Sequence, residues 1–327
     1  MKRKGMKPEM IQNVVFMGTP DFAVGTLRAL IQSDYQVKAV FCQPDKPKGR
    51  GKSLAMPPVK EEALRAGIPV YQPGKIREEE WLLKIEEMKP DAIVVVAFGQ
   101  ILPERVLKAA KYGCINVHAS LLPKYRGAAP IQWAVINGEK VSGVTTMRMD
   151  AGLDTGDMIL WEEVPLEEEE TGGSLFDKLS GVGAKLLIRT LDEISAGKAV
   201  YHPQPKESPT AYAAMLTKKQ GEISWEQPAK KIECLIRGLN PWPSAYTHYR
   251  GKMLKIWRAN TLQGQPDQKA EPGQAVQVTK HSLEIQTGDG ILSVKELQPE
   301  GKKRMGVDEF LRGYPVETGE RFGRVKE

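Results

Sequence analysis

Cysteine is scarce in this 327-residue chain. The three present, Cys42, Cys114 and Cys234, are far apart and odd in number. That argues against a disulfide framework and against a thiolate metal cage, and leaves small apolar fillers as their ordinary role. Long apolar runs are missing too: none approaches the roughly 20 residues of a membrane-crossing helix. The basic, polar start from Met1 to Met10 carries no apolar signal core, so a cytoplasmic protein without a membrane partner is expected. Gly18 stands alone where a dinucleotide fingerprint would need G-x-G-x-x-G, and NAD is not supported. Asp154 and Asp157 flank Gly156 as if in a metal loop, but the calcium spacing is not met and no second ligand cluster follows, so no metal is expected. No serine or cysteine is paired with histidine in the surroundings that covalent catalysis uses. No internal repeat is visible.

What is present is ordinary globular material. With 41% hydrophobic and 27% charged residues the chain can build packed cores, and its length is about that of two domains. The net charge of +6 is uneven: from Lys218 onward 19 Lys and Arg face 14 Asp and Glu, so the excess lies in the last third. Such a face can steer a polyanion or simply be solvated.

The first two thirds alternate strand and helix. Asn13 to Met17 reads as a buried strand, with Asp21 placed to cap a helix through Leu30. Val37 to Phe41 is a second strand, and Asp91 to Ala97 is an uninterrupted run of β-formers suited to the centre of a parallel sheet. Helices are expected over Val59 to Ala66, Glu78 to Met88, Ile101 to Ala110 and Ser174 to Ser195, with a strand at Gly143 to Met149. The fold class is α/β: a doubly wound, mostly parallel Rossmann-like sheet. The expected domains are 1–197, with 1–10 as a disordered leader, then a proline-bearing linker over 198–217 and a second domain over 218–327. Five short alternating strands in that second domain, between Ala245 and Leu297, suggest a small OB-like barrel. Trp242, Trp257 and Tyr249 can stack bases there or fill the barrel core. No apolar stripe argues for more than a monomer.

Three stretches carry chemistry. In Cys114 to His118, Asn116 and His118 recur every second residue, so a strand aims both at one face. The pattern then breaks at Pro123, Gly127 and Pro130, and a strand end that releases into a loop is where open α/β sheets place ligands. A side-chain amide can donate to a developing oxyanion, and a neutral imidazole can relay a proton near pH 7; taken alone, the pair also fits a core histidine and a capping amide. Asp154, on a tight loop after another strand, either orients that imidazole or bonds to its own turn. Between Gln43 and Pro58, Lys46, Lys48, Arg50 and Lys52 alternate along a Gly- and Pro-rich loop, which fits either a phosphate backbone or a merely solvated insertion.

Together these segments resemble the folate-dependent formyltransferase family, in the branch that formylates methionyl-tRNA. The resemblance rests on Met17 to Phe22, on Gln43 to Asp45 with Gly49 to Lys52, and on Asn116-Val-His118 with Ser120-Leu-Leu-Pro123. Asp150 to Gly156, Arg237 to Pro243, Thr287 to Ile291 and Gly301 to Lys303 extend it over nearly the whole chain from Asn13. It implies transfer of a formyl group from 10-formyltetrahydrofolate to the α-amine of initiator methionyl-tRNA. It puts Asn116, His118 and Asp154 on catalytic positions, Ser120, Leu121, Leu122 and Pro123 on the folate segment, and Arg50 on the loop that enters the tRNA acceptor end. The last third becomes the tRNA-binding domain. A formyltransferase or hydrolase acting on a small amine is the nearest alternative, and a non-catalytic nucleic-acid-binding protein a more distant one.

Overall fold

The computed structural model describes residues 10–48, 53–262 and 270–324. They divide into two compact units. One comprises the residues up to Pro130, Val141–Pro165 and Phe176–Ala213; the other comprises Ile131–Lys140, Leu166–Leu175 and the residues from Ala214 onward.

The first unit is built on strands β1 (Asn13–Gly18), β2 (Gln36–Phe41), β5 (Val70–Tyr71), β6 (Ala92–Val96), β7 (Cys114–His118), β8 (Val141–Arg148) and β9 (Met158–Pro165). They form a seven-stranded sheet in the order β5-β2-β1-β6-β7-β8-β9. Pairing is parallel from β5 through β7, and antiparallel where β8 joins β7 and β9 joins β8. The chain works outward from β1 to β5 and then restarts at β6 on the other side of β1, which makes the gap between the ends of β1 and β6 the topological switch point of the sheet. Gly18 is required there: a Cβ would lie 2.7 Å from the Phe16 ring and 2.9 Å from the Val96 carbonyl.

Around this sheet run α1 (Asp21–Ile31), α2 (Pro58–Arg65), α3 (Glu79–Met88), α4 (Glu104–Leu107) and, from Phe176 onward, α6 (Gly172–Ser195), whereas α5 (Pro130–Ile136) belongs, but for Pro130, to the second unit. In α6, Leu179, Leu186, Leu187, Leu191 and Ile194 are buried at helical spacing, and Gly183 sits so close to Val117 and Val144 that an added Cβ would be 3.0 Å from Val117 Cγ1. The opposite face packs Val15, Met17, Phe41, Ile93, Val95 and Cys114 against Ile76, Leu82, Ile85 and Phe98. Each fully buried large side chain there is worth roughly 1.5–3 kcal/mol. Burial also pushes the Cys114 thiol up to about 12 and the Cys42 thiol up to about 11, so both stay protonated.

Several expectations need correction. Asp21 is the first residue of α1 rather than its cap; Pro20 holds that position, and its ring makes no capping hydrogen bond. The helix expected over Ile101 to Ala110 shrinks to α4, since Pro103 precludes an earlier start. The loop after Gln43 opens and closes as a hairpin of β3 (Lys46–Lys48) and β4 (Ser53–Ala55), pairing Lys46 with Ala55 and Lys48 with Ser53. Strand β9 was not foreseen; of its residues only Ile159 is buried, while Trp161, Glu163 and Pro165 are exposed.

The second unit adds a 3-10 turn at Lys218–Gly221, α7 (Ala229–Gly238), β10 (Ala245–Tyr249), β11 (Lys252–Leu262), β12 (Ala275–Val278), β13 (Leu283–Gln286), β14 (Ile291–Pro299), β15 (Met305–Gly306) and α8 (Val307–Gly313). Its six strands form one antiparallel sheet in the order β10-β11-β14-β13-β12, with β15 on β14. Tyr249 lies in its core, stacked 4.9 Å from Phe322, and Trp225 donates to Thr247 Oγ1 at 3.0 Å. Trp242 is exposed, whereas Trp257 lies beneath the cations of Lys255 and Arg304.

Candidate active site

Strand β7 registers Asn116 opposite Met147 and His118 opposite Thr145 on β8. Val117 points to α6, so Asn116 and His118 share the other face with Cys114. Both are nearly buried, at 8% and 6% exposure. Among the described residues the Asn116 amide makes no hydrogen bond, which leaves its N–H groups available to a bound group.

The imidazole of His118 is held at one edge and faces a carboxylate across the other. Nε2 lies 3.0 Å from the Tyr125 carbonyl and Nδ1 lies 3.7 Å from Asp154 Oδ2. A carbonyl can only accept, so the neutral ring carries its proton on Nε2 and Nδ1 is left as an acceptor. Nδ1 and the Asp154 carboxylate therefore face each other as two acceptors across a gap that a proton would fill.

Asp154 does not bond to its own turn. That role falls to Asp150, whose carboxylate accepts from the Gly152 N–H at 3.0 Å and from Thr155 Oγ1 at 2.8 Å. Asp154, at φ +56 in the left-handed region, instead accepts from the Gly127 N–H at 2.9 Å through Oδ2. The φ of Gly127 is +125, and a Cβ there would stand 2.7 Å from both the Ala213 carbonyl and the Tyr212 ring.

The loop from Ser120 to Pro123 is laid over β8. Leu121 packs on Gly143, where an added Cβ would be 2.5 Å from Leu121 Cδ2. Thr145 Oγ1 donates to the Ser120 carbonyl at 2.7 Å and accepts from the Leu122 N–H at 3.1 Å. Ser120 is fully buried and donates to the Lys124 carbonyl at 2.7 Å, so it shapes the loop rather than reaching a ligand. Leu121 and Pro123 remain partly exposed.

At the switch point, Ala97 and Gly99 are exposed just beyond β6, and the Phe98 carbonyl between them accepts from Thr19 Oγ1 at 3.0 Å and Gln43 Nε2 at 3.2 Å. The base of the β3-β4 hairpin is braced by Lys60, which donates to Asp45 at 2.8 Å and to Gln72 Oε1 at 2.7 Å. That hydrogen bond from Lys60, aided by Gln72, holds the Asp45 carboxyl below the usual carboxylate range. Lys46 is exposed on the stem; Arg50 and Lys52 lie outside the described residues, and Lys48 is described only through its pairing. Lys60 and Gln72 escaped the sequence reading, and Thr19, Gln43 and Asp45 entered it only within motif segments and without a role, because isolated polar residues at strand ends have no periodicity to mark them.

Of the segment 198–217, read from its prolines as a linker, the residues up to Ala213 belong to the first unit and cross the site. His202 pairs with Met158, Ser208 Oγ donates to the Pro123 carbonyl at 2.8 Å, and the Tyr125 N–H donates to Thr210 Oγ1 at 2.7 Å. Arg126, buried, donates to Gln204 Oε1 at 2.9 Å and to the carbonyls of Pro205 at 2.7 Å and Lys206 at 3.0 Å. Among the described residues no cluster of three or more His, Cys, Asp and Glu side chains could hold a metal ion, and no helix is long and apolar enough to cross a membrane.

Residues 12–191 match the formyl transferase family model and residues 215–315 the model of its C-terminal domain. The chain therefore belongs to the formyl transferase family and is a one-carbon group transferase. Within that family it falls among the methionyl-tRNA formyltransferases. It is 57% identical to the one from Agathobacter rectalis over 94% of this chain and 99% of the relative. It is 51% identical to the one from Clostridioides difficile over 94% and 98%. Among solved structures, a sugar 3N-formyl transferase, WlaRD, crystallised with dTDP and 5-N-formyl-THF, superposes with a TM-score of 0.65 at 18% identity, over 90% of this chain and all of that one. HypX from Aquifex aeolicus in complex with tetrahydrofolic acid gives 0.59 at 16%, over 97% of this chain and 51% of that one. At those identities the likeness is one of fold.

Proposed function

We propose that this chain moves the formyl group of 10-formyltetrahydrofolate onto the α-amine of methionine esterified to initiator tRNA. The observation that carries the reading is the gap between His118 Nδ1 and Asp154 Oδ2 beside an Asn116 amide with no other work in the fold. The folate donor enters at the switch point, over exposed Ala97 and Gly99 and against Leu121 and Pro123. The amine nitrogen attacks the formyl carbon, and the carbonyl oxygen becomes an oxyanion to which the Asn116 amide donates. The proton lost by the amine passes to His118 Nδ1, where the carboxylate of Asp154 faces it. Collapse of the tetrahedral adduct breaks the bond to the folate nitrogen, which takes up a proton as it leaves. An amine nucleophile needs no serine or cysteine, so holding the two substrates in register does most of the catalysis. The cations between Gln43 and Pro58, Lys46, Lys48, Arg50 and Lys52, meet the phosphates of the acceptor end, and the basic last third binds the body of the tRNA.

The test is transfer of labelled formyl from 10-formyltetrahydrofolate by the purified protein to methionyl-tRNA, free methionine and an amino sugar. Label on methionyl-tRNA is expected. Label on the small amines and none on the tRNA would overturn the substrate assignment.

A further inference from the structure

We infer that Gln204 is a positioning residue for the reaction: its side-chain amide sets where Asp154 stands relative to His118. The inference rests on the catalytic reading of that pair and adds a device that holds it.

The two halves of the pair ride on different elements, His118 on the end of strand β7 and Asp154 on a loop. His118 is held through Nε2 by the Tyr125 carbonyl, in the loop after β7, whereas Asp154 belongs to the loop between β8 and β9. Gln204 joins those loops with one planar group. Its Oε1 accepts from Arg126 Nε at 3.1 Å and Nη2 at 2.9 Å, so it is fixed to the residue that follows Tyr125. Its Nε2 donates to the carbonyls of Asp154 at 3.0 Å and Gly156 at 2.7 Å. The next residue along, Gly127, donates its N–H to the Asp154 carboxylate. Three consecutive residues thus hold the imidazole, the amide clamp and the carboxylate, and Gln204 is the piece that grips the backbone of Asp154 itself. That backbone needs holding, since a non-glycine residue at φ +56 is in a sparsely populated region. The 3.7 Å gap is a distance between a strand end and a loop, and a shift of about 1 Å in such a gap can cost 10²-fold in rate.

Gln204→Glu separates positioning from support of the fold. The variant keeps the oxygen that Arg126 donates to and adds an opposite charge, but it replaces the donor nitrogen by an acceptor facing the carbonyls of Asp154 and Gly156. Its melting temperature is expected to stay near that of the parent protein. Its kcat for formyl transfer is expected to fall roughly 10- to 100-fold, with KM for methionyl-tRNA and for the folate unchanged within about twofold. Gln204→Met, which removes both functions, should lose kcat similarly and stability as well. Asp154→Asn keeps a residue type that tolerates the left-handed region and removes the charge; combined with Gln204→Glu, the two losses should fall well short of multiplying. Parental kcat in Gln204→Glu, or losses that multiply fully with those of Asp154→Asn, would overturn the inference. An unchanged kcat in Asp154→Asn would overturn the role of Asp154 and this inference with it. A loss in Asp154→Asn with none in Gln204→Glu would overturn this inference alone.

Discussion

Replacing Asn116 by alanine separates what this side chain does for the fold from what it does for the reaction. Asn116 sits on the interior strand β7, 8% exposed, between Val95 on β6 and Met147 on β8. Because its amide makes no hydrogen bond to another described residue, truncation breaks none among them and leaves no partner stranded. The change in folding stability is then expected within about 1 kcal/mol, and its sign can favour the variant, since a polar group leaves a nearly buried place. The effect on the barrier is larger. Removing one donor to a tetrahedral oxyanion costs about 3 kcal/mol, which is a drop of roughly a hundredfold or more in kcat. Single-turnover transfer of labelled formyl to methionyl-tRNA reads the second quantity, and thermal unfolding of the same preparation reads the first. Near-parental turnover in Asn116→Ala would refute the oxyanion role. So would a rate loss that merely tracks a large fall in melting temperature, because the amide would then be structural.

Three further outcomes follow from the same geometry. Gly127→Ala forces a Cβ to within 2.7 Å of Tyr212 and the Ala213 carbonyl at φ +125; a loss of roughly 2–4 kcal/mol in chemical denaturation is expected together with lower kcat, and an unaffected variant would show that the loop yields freely. Arg50→Ala should raise KM for methionyl-tRNA and flatten its dependence on salt while leaving the KM for the folate as it was, and equal changes in both would contradict its contact with the phosphates. In the second unit, burial works against the charge on Glu233, but its hydrogen bonds from Arg237 and Lys230 prevail and hold its carboxyl below the usual range. A carboxyl depressed in the folded state contributes stability above its unfolded pKa and loses it as pH falls through the folded one. Acid unfolding followed below about pH 4 should therefore be less steep in Glu233→Gln, at a cost of up to about 3 kcal/mol at pH 7, and identical acid profiles would exclude this linkage.

Much of the fold is readable from the chain because it follows from local pattern. Ala92 to Val96 is apolar throughout and becomes β6, buried on every residue, and the two-residue beat of Asn116 and His118 is the pleat of β7. The fold class and family follow from such segments taken together. What stayed hidden depends on partners far along the chain. Nothing local marks Gln204 or Arg126, which meet across 78 positions, or distinguishes the proline-bearing segment that binds the site from a linker. The second unit draws in 131–140 and 166–175, and no boundary in composition announces either insertion. β9 eluded pattern because an outermost strand needs only one buried side chain, and Ile159 is that residue. The cations of the hairpin were legible as residue types, whereas the brace beneath them, Lys60 with Asp45 and Gln72, was not.

That outermost strand has a bearing on how the protein behaves in a crowded cell. A sheet with an open margin invites a neighbour's backbone to continue it, and this one has two margins. At one, β5 offers only Val70 and Tyr71, too short a rail to grip; at the other, β9 turns Glu163 outward and stops at a proline, so an approaching copy would bring like charges together and find a missing donor. Growth of the sheet into fibres is thereby discouraged at both sides.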